Sequence, residues 1–166
     1  VEKYPLTPAD IARSVLRWQH LSNYANSLLA VYPLPLPGVH TIIPQLATNV
    51  SNVKLTLVFN DASAALAMLQ TSVDAWFLDG FTPAKNPELW SDEIFNSIAS
   101  LSAENTTFAT FTCASAVRKG LSNVGFNTQK VSGFGDKRES LKGQFESQPL
   151  NTPASVTHWF LDQQPK

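Results

Sequence analysis

The stretch VDAWFLDGFTPAKNP, residues 73–87, limits the possible folds more than any other part of the chain. Its first half, with Val73, Ala75, Trp76, Phe77 and Leu78, is apolar but too short for a helix core. Such a run suits a strand buried on both faces, as in a parallel sheet. Asp79-Gly80 stops that strand, and Pro83 and Pro87 forbid a helix across the loop that follows. A carboxylate at the carboxyl end of a buried parallel strand lies where open α/β sheets place their ligands. Asp79 therefore reads either as a site residue or as the cap of a turn. Phe81, Lys85 and Asn86 on the same stiff loop favour a site. An aromatic face, a cation, an amide and a carboxylate together exceed what a turn needs.

The rest of the chain alternates helical and strand patterns. Thr7 reads as an N-cap with Pro8 at the first helical position. Ile11, Val15, Leu16 and Trp18 then recur at helical spacing as a core-facing stripe, and a second helix is expected at 24–31. YPLPLPG, residues 32–38, is a proline-stiffened connector. Residues 39–43 and 53–59 alternate as two strands, a hairpin across the polar turn 47–52. Asn60-Asp61 closes the second strand and caps a helix near 62–70. Ser91 caps another helix, whose buried stripe is Ile94, Phe95, Ile98 and Leu101. A strand at 108–112, a helix at 114–123 and strands at 125–131 and 139–145 complete the pattern. At the other end, Glu2 closes what reads as a strand remnant. It is either a ribose-binding carboxylate of a nucleotide-binding sheet or a frayed terminal charge.

With 166 residues, 43% of them hydrophobic, one core and one domain are expected. No apolar run approaches the ~18 residues of a membrane span. The single cysteine, Cys113, allows no internal disulfide and fits a reducing cytoplasmic compartment; it reads as a small packing residue. His20, His40 and His158 have no partners at metal-ligand spacing, so no metal is expected. The net charge of −1 hides an asymmetry, because residues 113–143 carry +4 and the remainder −5. Arg118, Lys119, Lys137 and Arg138 supply much of that positive charge, and the loop SGFGDKR adds Phe134 as a stacking face. The loop is either a solvated hairpin tip or a contact for RNA phosphates. Residues 1–146 form the expected domain, and the proline-punctuated 147–166 reads as a linker that docks through Trp159 and Phe160.

Three blocks in order, AWFLDGFTPAKNPELW, TFATFTCASAVRKGL and GFGDKRESLKG, resemble the methyltransferase half of the MnmC family of bifunctional tRNA-modifying proteins. The resemblance runs from residue 1 to about 143, and DGFTPAKNP is its most specific part. It implies a Rossmann-like, S-adenosylmethionine-dependent methyltransferase fold of the α/β class, with a mostly parallel sheet and an antiparallel last strand. It implies methylation of the aminomethyl group on C5 of a wobble 2-thiouridine, with the tRNA anticodon loop as partner. By the same resemblance Glu2 binds the cofactor ribose and Asp61 contacts the adenine amino group. Asp79 is then the candidate catalytic carboxylate, which also faces the sulfonium. Phe81 and Pro83 wall the pocket, Phe81 against both cofactor and base. Lys85 meets phosphate or braces Asp79, and Arg118, Lys119, Phe134, Lys137 and Arg138 face tRNA. In the family, FAD belongs to a separate, covalently linked oxidase domain, which this chain does not contain.

No G-x-G-x-x-G run occurs, and Gly133-Phe134-Gly135 precedes a strand rather than a helix. The expectation is a domain incomplete at its N-terminus. Its sheet is then rearranged, shared between chains, or completed by an upstream segment. The alternative to an enzyme is a non-catalytic tRNA-docking or interdomain module. A hydrolase would need a G-x-S-x-G elbow, which is missing from the sequence. The oligomeric state is not legible.

Overall fold

The computed structural model describes residues 1–46, 53–133, 135 and 137–146. The turn at 47–52, Phe134 and the tail with Trp159 and Phe160 lie outside the described residues. Helix α1 (Pro8–Val15) opens on a full capping box. The Thr7 hydroxyl accepts from the Asp10 N–H, and the Asp10 carboxylate accepts from the Thr7 N–H. Helix α2 (Ser22–Leu29) follows a short 3-10 turn and packs against α1. The expected core stripe on α1 holds only in part. Ile11 is buried, but Leu16, which lies past the last helical turn, is 75% exposed, and Trp18 also faces solvent.

Strands β1 (Gly38–Ile42) and β2 (Leu55–Phe59) form the expected antiparallel pair, in register from Gly38–Phe59 to Ile42–Leu55. The Glu2 N–H donates to the Val58 carbonyl at 2.9 Å, so the first residues run beside β2. Asp61 caps α3 (Ala62–Met68) by accepting from the Ser63 N–H.

The main sheet contains β3 (Val73–Phe77), β4 (Ser102–Thr110), β5 (Phe126–Ser132) and β6 (Glu139–Phe145), in the order β3-β4-β6-β5. It is a mixed sheet with an antiparallel last strand. Parallel pairing among the described residues is confined to β3–β4, so the sheet is less parallel than expected: β6 enters between β4 and β5, antiparallel to both. Helices α3, α4 (Asp92–Ser100) and α5 (Ser115–Asn123) supply Leu66, Ile94, Phe95, Ile98, Val117 and Leu121 to one face. Phe108, Phe126 and Phe145 meet them there, edge to face at centroid separations of 5.4 and 5.0 Å.

The opposite face corrects the expectation of two-sided burial for 73–78. Trp76 and Leu78 pack toward the core, but Asp74, Ala75 and Phe77 are exposed, Phe77 at 84%. The reason is positional. Among the described residues β3 pairs only with β4, and the helical layer lies on one side of the sheet.

Candidate active site

The β3–β4 pairing carries the chain past the end of the strand, because the Leu78 N–H donates to the Ala109 carbonyl at 2.9 Å. Asp79 therefore emerges at the carboxyl end of β3, with its side chain exposed. The loop beyond it folds back on the Thr82 carbonyl, which accepts from the N–H groups of Lys85 (2.8 Å) and Asn86 (3.1 Å). A 3-10 turn, Pro87–Trp90, closes it. Gly80 is packed so tightly that a Cβ there would lie 2.9 Å from Leu89 Cδ1. Phe81 adopts a left-handed φ of 49° and holds its ring 73% exposed.

A cavity of about 420 Å³ opens beside this loop, lined by residues from three separate parts of the chain. Glu2 from the chain start and Asp61 from just past β2 meet at the carboxyl end of that strand, and Asp79, Phe81 and Lys85 come from the loop. These are five of the positions singled out by the sequence. Pro83 belongs to the same loop but does not line the cavity. Lys3, Tyr4, Asn60 and Glu88 also line it, and sequence reasoning missed their part. The adjacency of Lys3 to Glu2 was the only available signal for the lysine. Glu88 had none beyond its place after Pro87.

Asp61 has two tasks. One oxygen accepts the Ser63 N–H at 3.0 Å as a helix cap, and the other pairs with Lys3 Nζ at 3.3 Å. That hydrogen bond, with smaller contributions from Tyr4 and Glu88, pushes the Lys3 ammonium above its ordinary value. Both side chains are about half exposed, so the pair organises the rim more than it stabilises the fold. Glu2 accepts the Tyr4 N–H at 2.8 Å. Burial, and secondarily the Glu2 charge, raise the Tyr32 hydroxyl. The cavity thus collects four carboxylates (Glu2, Asp61, Asp79, Glu88) against two lysines (Lys3, Lys85). Its interior favours a cation.

The basic positions lie elsewhere. Lys137 Nζ stands 5.6 Å over the Phe111 ring, just past the carboxyl end of β4, on the edge of the sheet that carries Asp79. Arg118 lines a different groove, of about 540 Å³, with Ser122, Asn127 and Glu146. Lys119 and Arg138 are exposed. Lys130, bonded to Glu139 at 2.8 Å, is raised mainly by that bond. None of Arg118, Lys119, Lys137 or Arg138 lines the Asp79 cavity. Cys113 is half-buried against the core, as a packing residue would be. Among the described residues, no three His, Cys, Asp or Glu side chains converge as a metal site, and no helix is long and apolar enough to cross a membrane. A larger hollow of about 670 Å³ spreads over the open face of the sheet. Its lining of Ala75, Phe77, Thr107, Asn127, Lys142 and Gln144 gathers no comparable set of carboxylates.

Known proteins bear on this arrangement. The bifunctional protein MnmC of Ectopseudomonas mendocina (strain ymp), named for tRNA 5-methylaminomethyl-2-thiouridine biosynthesis, is 47% identical over 160 residues, 96% of this chain and 23% of its own length. The protein of the same name from Marinomonas sp. (strain MWYL1) is 43% identical over 169 residues, 100% of this chain and 24% of its own. The chain thus spans about a quarter of the length of these relatives. A crystal structure of MNMC2 from Aquifex aeolicus aligns with a TM-score of 0.47 and 27% identity, over 60% of this chain and 31% of that one. Residues 19–146, from the start of the 3-10 turn before α2 to the residue after β6, match a single family description, that of an S-adenosyl-L-methionine-dependent methyltransferase. With that match covering the mixed sheet and the Asp79 loop, the chain belongs to the S-adenosyl-L-methionine-dependent methyltransferases.

Proposed function

We propose that the Asp79 cavity is the methyl-transfer site of a tRNA-modifying enzyme. Its product is 5-methylaminomethyl-2-thiouridine, made from the aminomethyl nucleoside at the wobble position of the anticodon loop. The observation that carries this reading is the convergence of Glu2, Asp61, Asp79, Phe81 and Lys85 on one cavity of about 420 Å³. The names and high identity of the MnmC relatives supply the substrate class. Cytoplasmic location follows from that substrate, and a linked second activity from the word bifunctional in those names.

The donor set fits the nucleoside part of S-adenosylmethionine. Glu2 would accept from ribose hydroxyls and Asp61 from the adenine amine, and the excess of carboxylates would suit a sulfonium. When bound, that cofactor supplies an electrophilic methyl group, which leaves sulfur with the C–S bond pair remaining on sulfur. Asp79 has the remaining task. The acceptor amine must be neutral to attack, yet a free alkylammonium has a pKa near ~10.4. The Asp79 carboxylate orients the amine and takes its proton. Phe81, held outward on its left-handed backbone, offers a stacking face to the extruded base. A wobble base in a single-stranded loop is cheaper to extrude than one in a duplex. Lys85, on the same loop and lining the same cavity, would meet a nucleotide phosphate at the rim or brace Asp79.

The test is methyl transfer from labelled S-adenosylmethionine to tRNA carrying the aminomethyl uridine. Asp79→Asn is expected to lower the rate by about 100-fold or more. An unchanged rate refutes the role of Asp79.

A further inference from the structure

The backbone that presents Asp79 and Phe81 is fixed by a residue outside the cavity. Trp90 closes the 3-10 turn, and its ring packs half-buried against the core. Its indole N–H is shared between two consecutive carbonyls, Gly80 O at 2.9 Å and Phe81 O at 3.2 Å. Consecutive carbonyls of an extended chain point in opposite directions, so one donor cannot serve both. They converge here because Phe81 between them has turned to a φ of 49°, a conformation disfavoured for any residue with a side chain. Leu89, next to Trp90, fills the space over Gly80 in which a Cβ would lie. The loop is thus clamped from its far end, ten residues along the chain from Gly80.

We infer that Trp90 is a positioning residue. Its indole N–H holds Phe81 in the left-handed conformation and so sets where Asp79 and Phe81 stand in the cavity. Trp90→Phe keeps a six-membered aromatic ring but removes the pyrrole ring with its donor, so some packing against the core is lost as well and two carbonyls are left to compete for water. One lost hydrogen bond of this kind lowers the population of the held loop by about three- to tenfold. The kinetic part of this inference rests on the proposed methyl-transfer role of Asp79; the structural part does not.

Amide hydrogen exchange separates the two. In Trp90→Phe, the amides of Lys85 and Asn86, both held by the Thr82 carbonyl, are expected to exchange about three- to tenfold faster. The amides of Leu78 and Phe95, bonded to Ala109 and Ser91, are expected to exchange as before. In the unaltered protein the Trp90 indole proton is expected to exchange far more slowly than that of the exposed Trp18, a measurement that needs no variant. Equal indole exchange, or unchanged Lys85 and Asn86 amides, overturns the inference whether or not the protein transfers methyl groups. In the kinetic arm, kcat is expected to fall about three- to tenfold with a smaller change in KM for S-adenosylmethionine. The effect is expected to vanish when Asp79→Asn is already present. Additive effects of the two substitutions would instead mark Trp90 as merely structural.

Discussion

Gly143 is the position at which one added methyl group should propagate furthest. It lies in β6 between β4 and β5, opposite Phe108 on one side and Thr128 on the other. A Cβ there would collide with the Asn127 carbonyl and lie 2.5 Å from Phe108 Cε1. The glycine leaves room for the Phe108 ring, which in turn packs edge to face on Phe126. In Gly143→Ala that ring must move, and the carbonyl can yield only if β5 shifts. Overpacking of this kind costs about 1–3 kcal/mol, and a backbone obstruction places the cost in the upper half of that range. The stiffer unfolded chain offsets about 0.4–1 kcal/mol. A net loss of about 2 kcal/mol lowers the thermal midpoint by about 4–8 °C in a chain of this size. Thermal unfolding followed by circular dichroism reads it directly. A midpoint within about 1 °C of the parent would mean that the sheet has slack at Gly143, and the packing argument would fail.

Two further outcomes are expected. Lys137→Ala and Arg138→Ala should each weaken tRNA binding and reduce the log–log salt slope by about 0.7, the value for a contact to a single strand. Filter binding across a salt series measures this, and slopes unchanged in both variants would remove these residues from the interface. Asp10 is held below its ordinary 3.8, chiefly by the Thr7 hydroxyl and then by the Thr7 N–H. Its contribution to α1 is therefore complete above that value and is lost as pH falls through the lower folded one. Asp10→Ala should lower the thermal midpoint at neutral pH and converge with the parent in acid. A difference independent of pH would count against the capping box.

Much of this architecture was legible because its signals are local. Thr7, Asp61 and Ser91 cap α1, α3 and α4 as expected, and β6 spans the expected 139–145. Where reading failed, the controlling interactions connect distant residues. Strand β4 begins at Ser102, well before the apolar stretch, although 102–106 is polar. Its early part is held by the Thr106 hydroxyl on the Val73 carbonyl and by the Trp76 indole on the Ser102 hydroxyl. No periodicity encodes bonds across such separations. Two-sided burial of β3 was the natural reading of its composition, but composition cannot say whether a strand has neighbours on both sides.

The same division runs through the candidate site. Glu2, Asp61 and Asp79 could be found because each reads in the sequence as closing a strand, where ligand crevices form; Glu88, inside a 3-10 turn, and Lys3 could not, because Lys3 meets Asp61 only when the chain start lies beside β2. Both matter for how charge is arranged. Lys3 neutralises Asp61, which leaves Glu2, Asp79 and Glu88 against Lys85 inside the cavity, while Lys137 stands outside it over Phe111. An anionic interior with a cation on the same sheet edge suits two ligands of opposite charge. A sulfonium and an alkylammonium, which enters charged before Asp79 takes its proton, gain from entering. A phosphate backbone is repelled by the interior and held at the rim. Under the proposed function this separation does part of the selecting, since only the modified base of the polyanion has a reason to pass the Asp79 loop.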